Sequence, residues 1–450
     1  MTAHRDEPRP AWSRSDRFVP RALVRPLQEF LQASVASALL LFGAVVVALV
    51  WVNSSWGDTY ERWWHSQSTL TLGSFSIGTD LRFWVNDGLM TVFFLLVGIE
   101  IKRELTTGEL QRPRAAILPA LAAVGGMVVP ALLYVAVAGH SAGAHGWGVP
   151  MASDVALALG ALALAGRHAP VSLRPMMLTI AIVDDIGAIL VIAIFYSRGG
   201  NPWDLLGAAV LVGLIVVLQR QHVRSTIPYV VIGAGLWLAL YGAGVHPTIS
   251  GVILGLLTPS VPFQRPAAVS QAAKRTADET VDDPEPPDAD APAWLRLAWL
   301  SKEAVSPLAR VEHALLPWSA WVIVPLFALA NAGVVLSGGA ARAALTGPVG
   351  IAIVLGLVVG KPLGIVVASA TSARARVGRL PRGVGWGDLA GMGAIAGIGF
   401  TVALFIAELA FGDRPAILAQ SKVAILFASV VAGVLGNVLL RSFRSPPPNR

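Results

Sequence analysis

The chain has 450 residues, 55% hydrophobic and only 14% charged, with no cysteine and a formal charge of +7. Soluble domains average about 25% charged residues and could not hide this much apolar surface. The composition therefore excludes a disordered chain, a disulfide scaffold and an ordinary soluble enzyme. The apolar residues are also clumped, with many runs of 17 to 23 residues carrying at most one charge, and about 20 apolar residues cross roughly 30 Å of hydrocarbon as a helix. An all-α polytopic membrane protein is the fold class this implies, and the charges left inside its spans become the most informative residues.

In chain order, residues 1–32 form an Arg-rich arm expected to be cytosolic, and the run after it reads as an uncleaved first span rather than a signal peptide. Spans are expected at 33–52, 83–101, 115–137, 150–166, 175–196, 204–219, 227–243, 246–262, 318–336, 349–371, 387–411 and 423–440. Breaks at Gly and Pro make the fourth, eighth and eleventh the least regular. Twelve crossings put both termini on one side, and 27 of the 34 Lys and Arg fall on that side while six fall opposite. The positive-inside rule then places both termini in the cytoplasm. The basic pI near 10.1 is mostly this bias, and no nucleic-acid partner is needed to explain it.

The organisation expected is an arm (1–32), eight spans (33–262), a cytosolic segment (263–316), four spans (317–440) and a cytosolic tail (441–450). The piece opening at 263, with acids from Asp278 to Asp290 interleaved with Pro284, Pro286 and Pro287, reads as a disordered cytosolic linker, followed by a surface helix over Trp294–Val311. On the opposite face, Thr69–Asp80 alternates apolar and polar residues around Gly73-Ser74, which predicts a small β-hairpin. Two isolated strands are marginal in water, so the hairpin is expected to pack on a partner such as a second protomer.

The span PMMLTIAIVDDIGAILVIAIFY carries Asp184 and Asp185 near its midpoint, where a charge costs roughly 3 kcal/mol on insertion scales. Successive helical residues point about 100° apart, so one carboxylate can face an aqueous site while the other faces a neighbouring helix. Permanent protonation of both, bonded between helices, is the bland alternative. Asp154, beside Ser153 in PMASDVALALG, is the only charge between Gly146 and Gly166. Pro150 and these polar residues predict an interrupted helix with backbone carbonyls free to face an ion, against the alternative of a plain N-cap at the outer surface. Lys361, in GKPLG, lies halfway along its span and is too deep to snorkel easily. It needs Asp184 or Asp154 as a partner, or must be neutral part of the time. Gly393, Gly397, Gly399 and Thr401 mark a second candidate break, with Gly-mediated packing the even-odds alternative. Glu100, Arg103 and Glu104 can pair along one helix face, which alone reads as a solvated helix end. His246, before Pro247, reads from sequence alone as structural, although histidine titrates near neutral pH.

Three central carboxylates and one amine, with two helix breaks, describe a midplane site for hard cations and protons. One site holding either a cation or the neutralising protons gives antiport, with activity falling at low pH. No HExxH or Walker motif occurs, so zinc proteolysis and ATP-driven transport lack support. An intramembrane aspartyl protease would need two aspartates from different helices, one of them in a GxGD setting, and that reading is set aside. A channel would prefer rings of charge, and a sodium-coupled solute symporter remains the alternative transporter.

The segments VGIEIKREL, ASDVALALG, IAIVDDIGAILVIAIFY, GVHPTISGV, PLFALANAGV, GKPLG and GIGFTVALFIAELAF, in order over about 33–440, together resemble the NhaA family of bacterial sodium/proton antiporters. The resemblance implies inverted repeats, with the fourth and eleventh helices interrupted and crossing near the midplane. It also implies electrogenic export of Na⁺ or Li⁺ against protons, activation at alkaline pH, an inner-membrane location and no resident cofactor. By motif, Asp185 and Asp184 match the essential pair, with Asp185 and Asp154 the expected Na⁺ ligands. Ser153 stands where Thr is usual. Lys361 matches the central lysine, expected to pair with Asp184 and release its proton during the cycle. Glu100, Arg103, Glu104, His246, Glu312 and His313 match positions tied to pH response. Leu316 stands where the family often has a second histidine, and the acidic insert at 263–300 lengthens the loop feeding this cluster.

Overall fold

In the computed structural model, which describes residues 34–72, 75–111, 113–166, 169–197, 199–280, 290–336 and 338–442, the apolar runs are helices. A helix satisfies every backbone polar group within its own segment, as hydrocarbon demands. Helix α1 (Ser34–Val52) turns by 114° into α2 (Gly57–Trp64). The α2 segment is anchored by buried Tyr60, whose hydroxyl donates to the Leu329 and Ala330 carbonyls at 2.8 and 2.9 Å. The expected hairpin is present. Strands β1 (Gln67–Leu72) and β2 (Phe75–Asp80) pair antiparallel with Leu70 opposite Ile77; its Gly73-Ser74 tip lies outside the described residues, as do the arm at 1–32 and most of the tail.

The next helices are α3 (Leu81–Thr106), α4 (Pro113–Ala138) and α5 (Val155–Ala165), the last preceded by a 3₁₀ stretch at Ala144–Met151. They are followed by α6 (Leu173–Phe195), α7 (Pro202–Arg220), α8 (Thr226–Gly242) and α9 (Ile249–Leu257). After helices α10 (Pro266–Thr280) and α11 (Ala291–Glu303) come α12 (Pro307–Asn331), the short α13 (Gly338–Thr346) and α14 (Pro348–Arg374). The chain ends in α15 (Trp386–Ala396), α16 (Phe400–Phe411) and α17 (Pro415–Ser442). All twelve stretches expected from hydropathy coincide with helix. Seven are long apolar spans, and α9 is the shortest at nine residues. Both expected interruptions are real: the 3₁₀ stretch and α5 meet at 45°, and α15 and α16 at 47°.

Two sequence expectations need correction. Residues 266–280 are helical rather than irregular, because the Ala-rich stretch before the acidic run is a good helix former; the acidic core itself, 281–289, lies outside the described residues. The expected surface helix stops at Glu303, since Ser306 caps a new helix by accepting the Ala309 N–H at 3.2 Å. That new helix, α12, starts well before the span expected at 318. Lys422, counted with the outer loops, lies inside α17 and is 4% exposed.

Small residues bring the helices together, as is usual where lipid supplies no hydrophobic drive between them. Gly251 and Gly255 on α9 sit against the α3 backbone at Thr91 and Leu95, and Gly125 of α4 against Gly364 of α14. A Cβ at any of these would collide with main-chain atoms. These close approaches frame α5, α6, α14, α15 and α16 around one buried polar cluster.

Candidate functional site

Both helix breaks leave backbone groups that a continuous helix would have paired, and they satisfy one another. The Asp154 N–H donates to the Ile398 carbonyl at 2.6 Å, stitching the break before α5 to the break between α15 and α16. The Asp154 carboxylate then caps both half-helices. Its Oδ1 accepts the Leu157 N–H at 3.0 Å, while Oδ2 accepts the Thr401 N–H at 3.2 Å and hydroxyl at 2.7 Å. One negative charge thus sits at the positive ends of two half-helix dipoles. Gly397 and Gly399 make the crossing possible. A Cβ at Gly397 would run into the Leu357 carbonyl, and one at Gly399 would meet Leu357 Cδ2 at 3.0 Å and the Ala152 carbonyl at 3.2 Å. Helix break and close glycine packing, alternatives in the sequence, therefore occur together.

On α6 the two adjacent aspartates diverge, as the 100° step requires. Asp184 turns to α14, where Lys361 Nζ lies 2.7 Å from its Oδ2 with both side chains fully buried. The same oxygen accepts the Ser153 hydroxyl at 2.8 Å. Lys361 also donates to the Met151 carbonyl, one of the free carbonyls at the first break. Asp185, 8% exposed, has no hydrogen-bond or ion-pair partner among the described residues. The charged groups that bear on it are Glu100, Asp184, Asp154 and Lys361. Asp185 is thus a carboxylate with no partner among the described residues, the hard oxygen donor a small cation takes. Phe94, Ile189, Ile192, Thr248, Ile249 and Val252 line a void too narrow for a water molecule.

The remaining sequence candidates disperse. Glu100 faces the Asp185 region from α3. Arg103 is ion-paired with Glu312 across α3 and α12, Glu104 accepts the Glu109 N–H at 2.8 Å, and His313 is exposed. His246 sits apart on the outer side, its Nε2 3.5 Å from Asp87 Oδ1 and its ring 5.1 Å from that of Phe405. Asp87 lies in a π-helical turn at Trp84–Leu89, and its pairing with His246 had no sequence signal beyond its being an acid inside a span. A GxGD sequence does occur, at Gly385–Asp388. Its aspartate closes the N-terminal turn of α15 by accepting the Gly385 N–H at 2.8 Å, so the absence of this motif is no ground for setting the protease reading aside.

Interrupted helices crossing over buried carboxylates and an amine define a secondary ion transporter. A profile of the family described as "Na+/H+ antiporter 1" matches residues 28–440. An antiporter named "Na(+)/H(+) antiporter NhaA 2" from Sorangium cellulosum is 43% identical over 97% of this chain and 94% of its own length. Proteins named "Na(+)/H(+) antiporter NhaA" from Janthinobacterium sp. and Rhodopirellula baltica are each 44% identical. They cover 91% and 95% of this chain, and 91% and 96% of their own lengths. The chain belongs to the NhaA family of sodium/proton antiporters.

Proposed function

We propose that this antiporter exports Na⁺ or Li⁺ electrogenically in exchange for protons, with Asp185 and Asp154 as cation ligands. The observation that carries the reading is the unpaired Asp185 carboxylate beside the closed Lys361–Asp184–Ser153 cluster at the crossing of the two helix breaks. In the state described, Lys361 neutralises Asp184 and Asp154 is spent on capping. Entry of a cation at Asp185 draws Asp184 from Lys361 while Thr401 keeps Asp154 in place beside the ion, and protons reverse the exchange by neutralising the same carboxylates. Cation and protons compete for one charge, which couples their fluxes and lowers activity in acid. The protein is a transporter rather than an enzyme, and Na⁺ and H⁺ are its substrates rather than resident cofactors.

In the same reading the chain sits in the bacterial inner membrane with both termini in the cytoplasm. The Lys/Arg asymmetry supports this, and moving Lys422 into a span leaves 27 inner-face against five outer-face basic residues. The Arg103–Glu312 pair, Glu100, Glu104, His246 and His313 set the pH response, and the hairpin packs on a second copy of the chain. Respiring everted vesicles test the function. Their ΔpH collapses partly when Na⁺ or Li⁺ is added, without any organic co-substrate; a requirement for such a co-substrate establishes a symporter instead.

A further inference from the structure

One buried charge pair lies outside the site just described. Lys422 of α17 and Glu408 of α16 meet at 2.6 Å with side chains 5% and 13% exposed. Burying each ion costs several kcal/mol, and Glu408 also sits near the C-terminal end of α16, where the helix dipole disfavours an acid. The fold bears both costs at one spot on the outer half of the interrupted span.

We propose that Glu408 and Lys422 are a positioning pair for the cation site, fixing α16 against α17 so that Thr401 holds the Asp154 carboxylate. This rests on the antiport reading above. Helix α16 is a twelve-residue rod severed from α15 by the break at Gly397–Gly399, so no continuous helix sets its height or rotation. Thr401 grips Asp154 at its inner end. Glu408 follows seven residues later, about 20° from Thr401 around the helix and about 10 Å along it. Between them Phe405 packs on the rings of Phe94, Phe327 and His246 at 5.3, 6.2 and 5.1 Å. Aromatic packing resists displacement but tolerates rotation. A charged pair at the far end on nearly the same face does not, because a one-residue slip turns Glu408 by about 100° away from Lys422.

The test is the Na⁺ dependence of antiport in everted vesicles. Glu408→Gln and Lys422→Met raise the half-maximal Na⁺ concentration about five- to tenfold, the worth of one hydrogen bond, with maximal rate nearly unchanged. The exchanged pair Glu408→Lys with Lys422→Glu brings the value back to near wild type. In a Thr401→Ala background, Glu408→Gln has no further effect, because the grip it positions is gone. An unchanged half-maximal Na⁺ in Glu408→Gln overturns the proposal, as does a full second increase in the Thr401→Ala background. Loss of folded protein from both single variants without recovery in the exchanged pair also overturns it. Wild-type vesicles that ignore Na⁺ would instead remove the antiport reading, so the two failures are distinct.

Discussion

Replacing Lys361 by Met tests the electrostatics of the crossing. Its ammonium lies 2.7 Å from Asp184 with neither side chain exposed, and it also donates to the Met151 carbonyl. Removing one member of a buried pair strands the other charge, at a cost of roughly 3–5 kcal/mol. Asp184 would keep only the Ser153 hydroxyl, which offsets about 1 kcal/mol of that. Removing both charges in Lys361→Met with Asp184→Asn leaves nothing stranded, so the double variant recovers most of the loss. The expected coupling between the two positions is about 2–3 kcal/mol. Reversible unfolding of detergent-purified protein, followed as a four-variant cycle, measures it. Strict additivity, or a single-variant cost under about 1 kcal/mol, would refute the reasoning.

Further outcomes follow from the same geometry. Asp185→Asn leaves stability unchanged or raised, because its carboxylate has no partner among the described residues and neutralising a buried charge removes a penalty. A melting temperature below that of Asp184→Asn would contradict this. Gly397→Ala lowers the yield of folded protein, since its Cβ meets the Leu357 carbonyl, whereas Gly433→Ala, with Ile398 Cδ1 as nearest atom at 3.4 Å, is tolerated; size-exclusion profiles of the two tell them apart. Arg103→Gln and Glu312→Gln displace the pH profile of transport by the same amount, and the double variant moves it no further, as expected if the two act as one pair. Replacing the hairpin from Thr69 to Thr79 by a short Gly-Ser linker yields monomers by light scattering while Na⁺-dependent transport persists.

The spans, the hairpin and both breaks were legible because each has a local cause: an apolar run, period-two alternation, or Gly and Pro inside a span. The choice of Asp184 over Asp154 as the Lys361 partner came only from the family resemblance and not from the residues themselves, since it depends on how α6, α14 and the first break cross. The double-capping role of Asp154 was likewise invisible, because Thr401 is 247 residues away. Lys422 was misplaced because three polar residues around it, Gln420, Ser421 and Lys422 itself, mimic a loop, while its partner Glu408 lies on another helix. The stretch 266–280 was misread because the acidic run beyond it dominates the composition of the whole insert. Long-range charge pairing is what a one-dimensional reading loses.

The central claim is that Asp185 is the open ligand of a competing cation and proton site. Everted vesicles holding equal amounts of wild type and Asp185→Asn, energised by respiration and challenged with Na⁺, test it most directly. The account predicts a Na⁺-dependent fall in ΔpH for wild type and none for Asp185→Asn. A fall of wild-type size in the variant would contradict it.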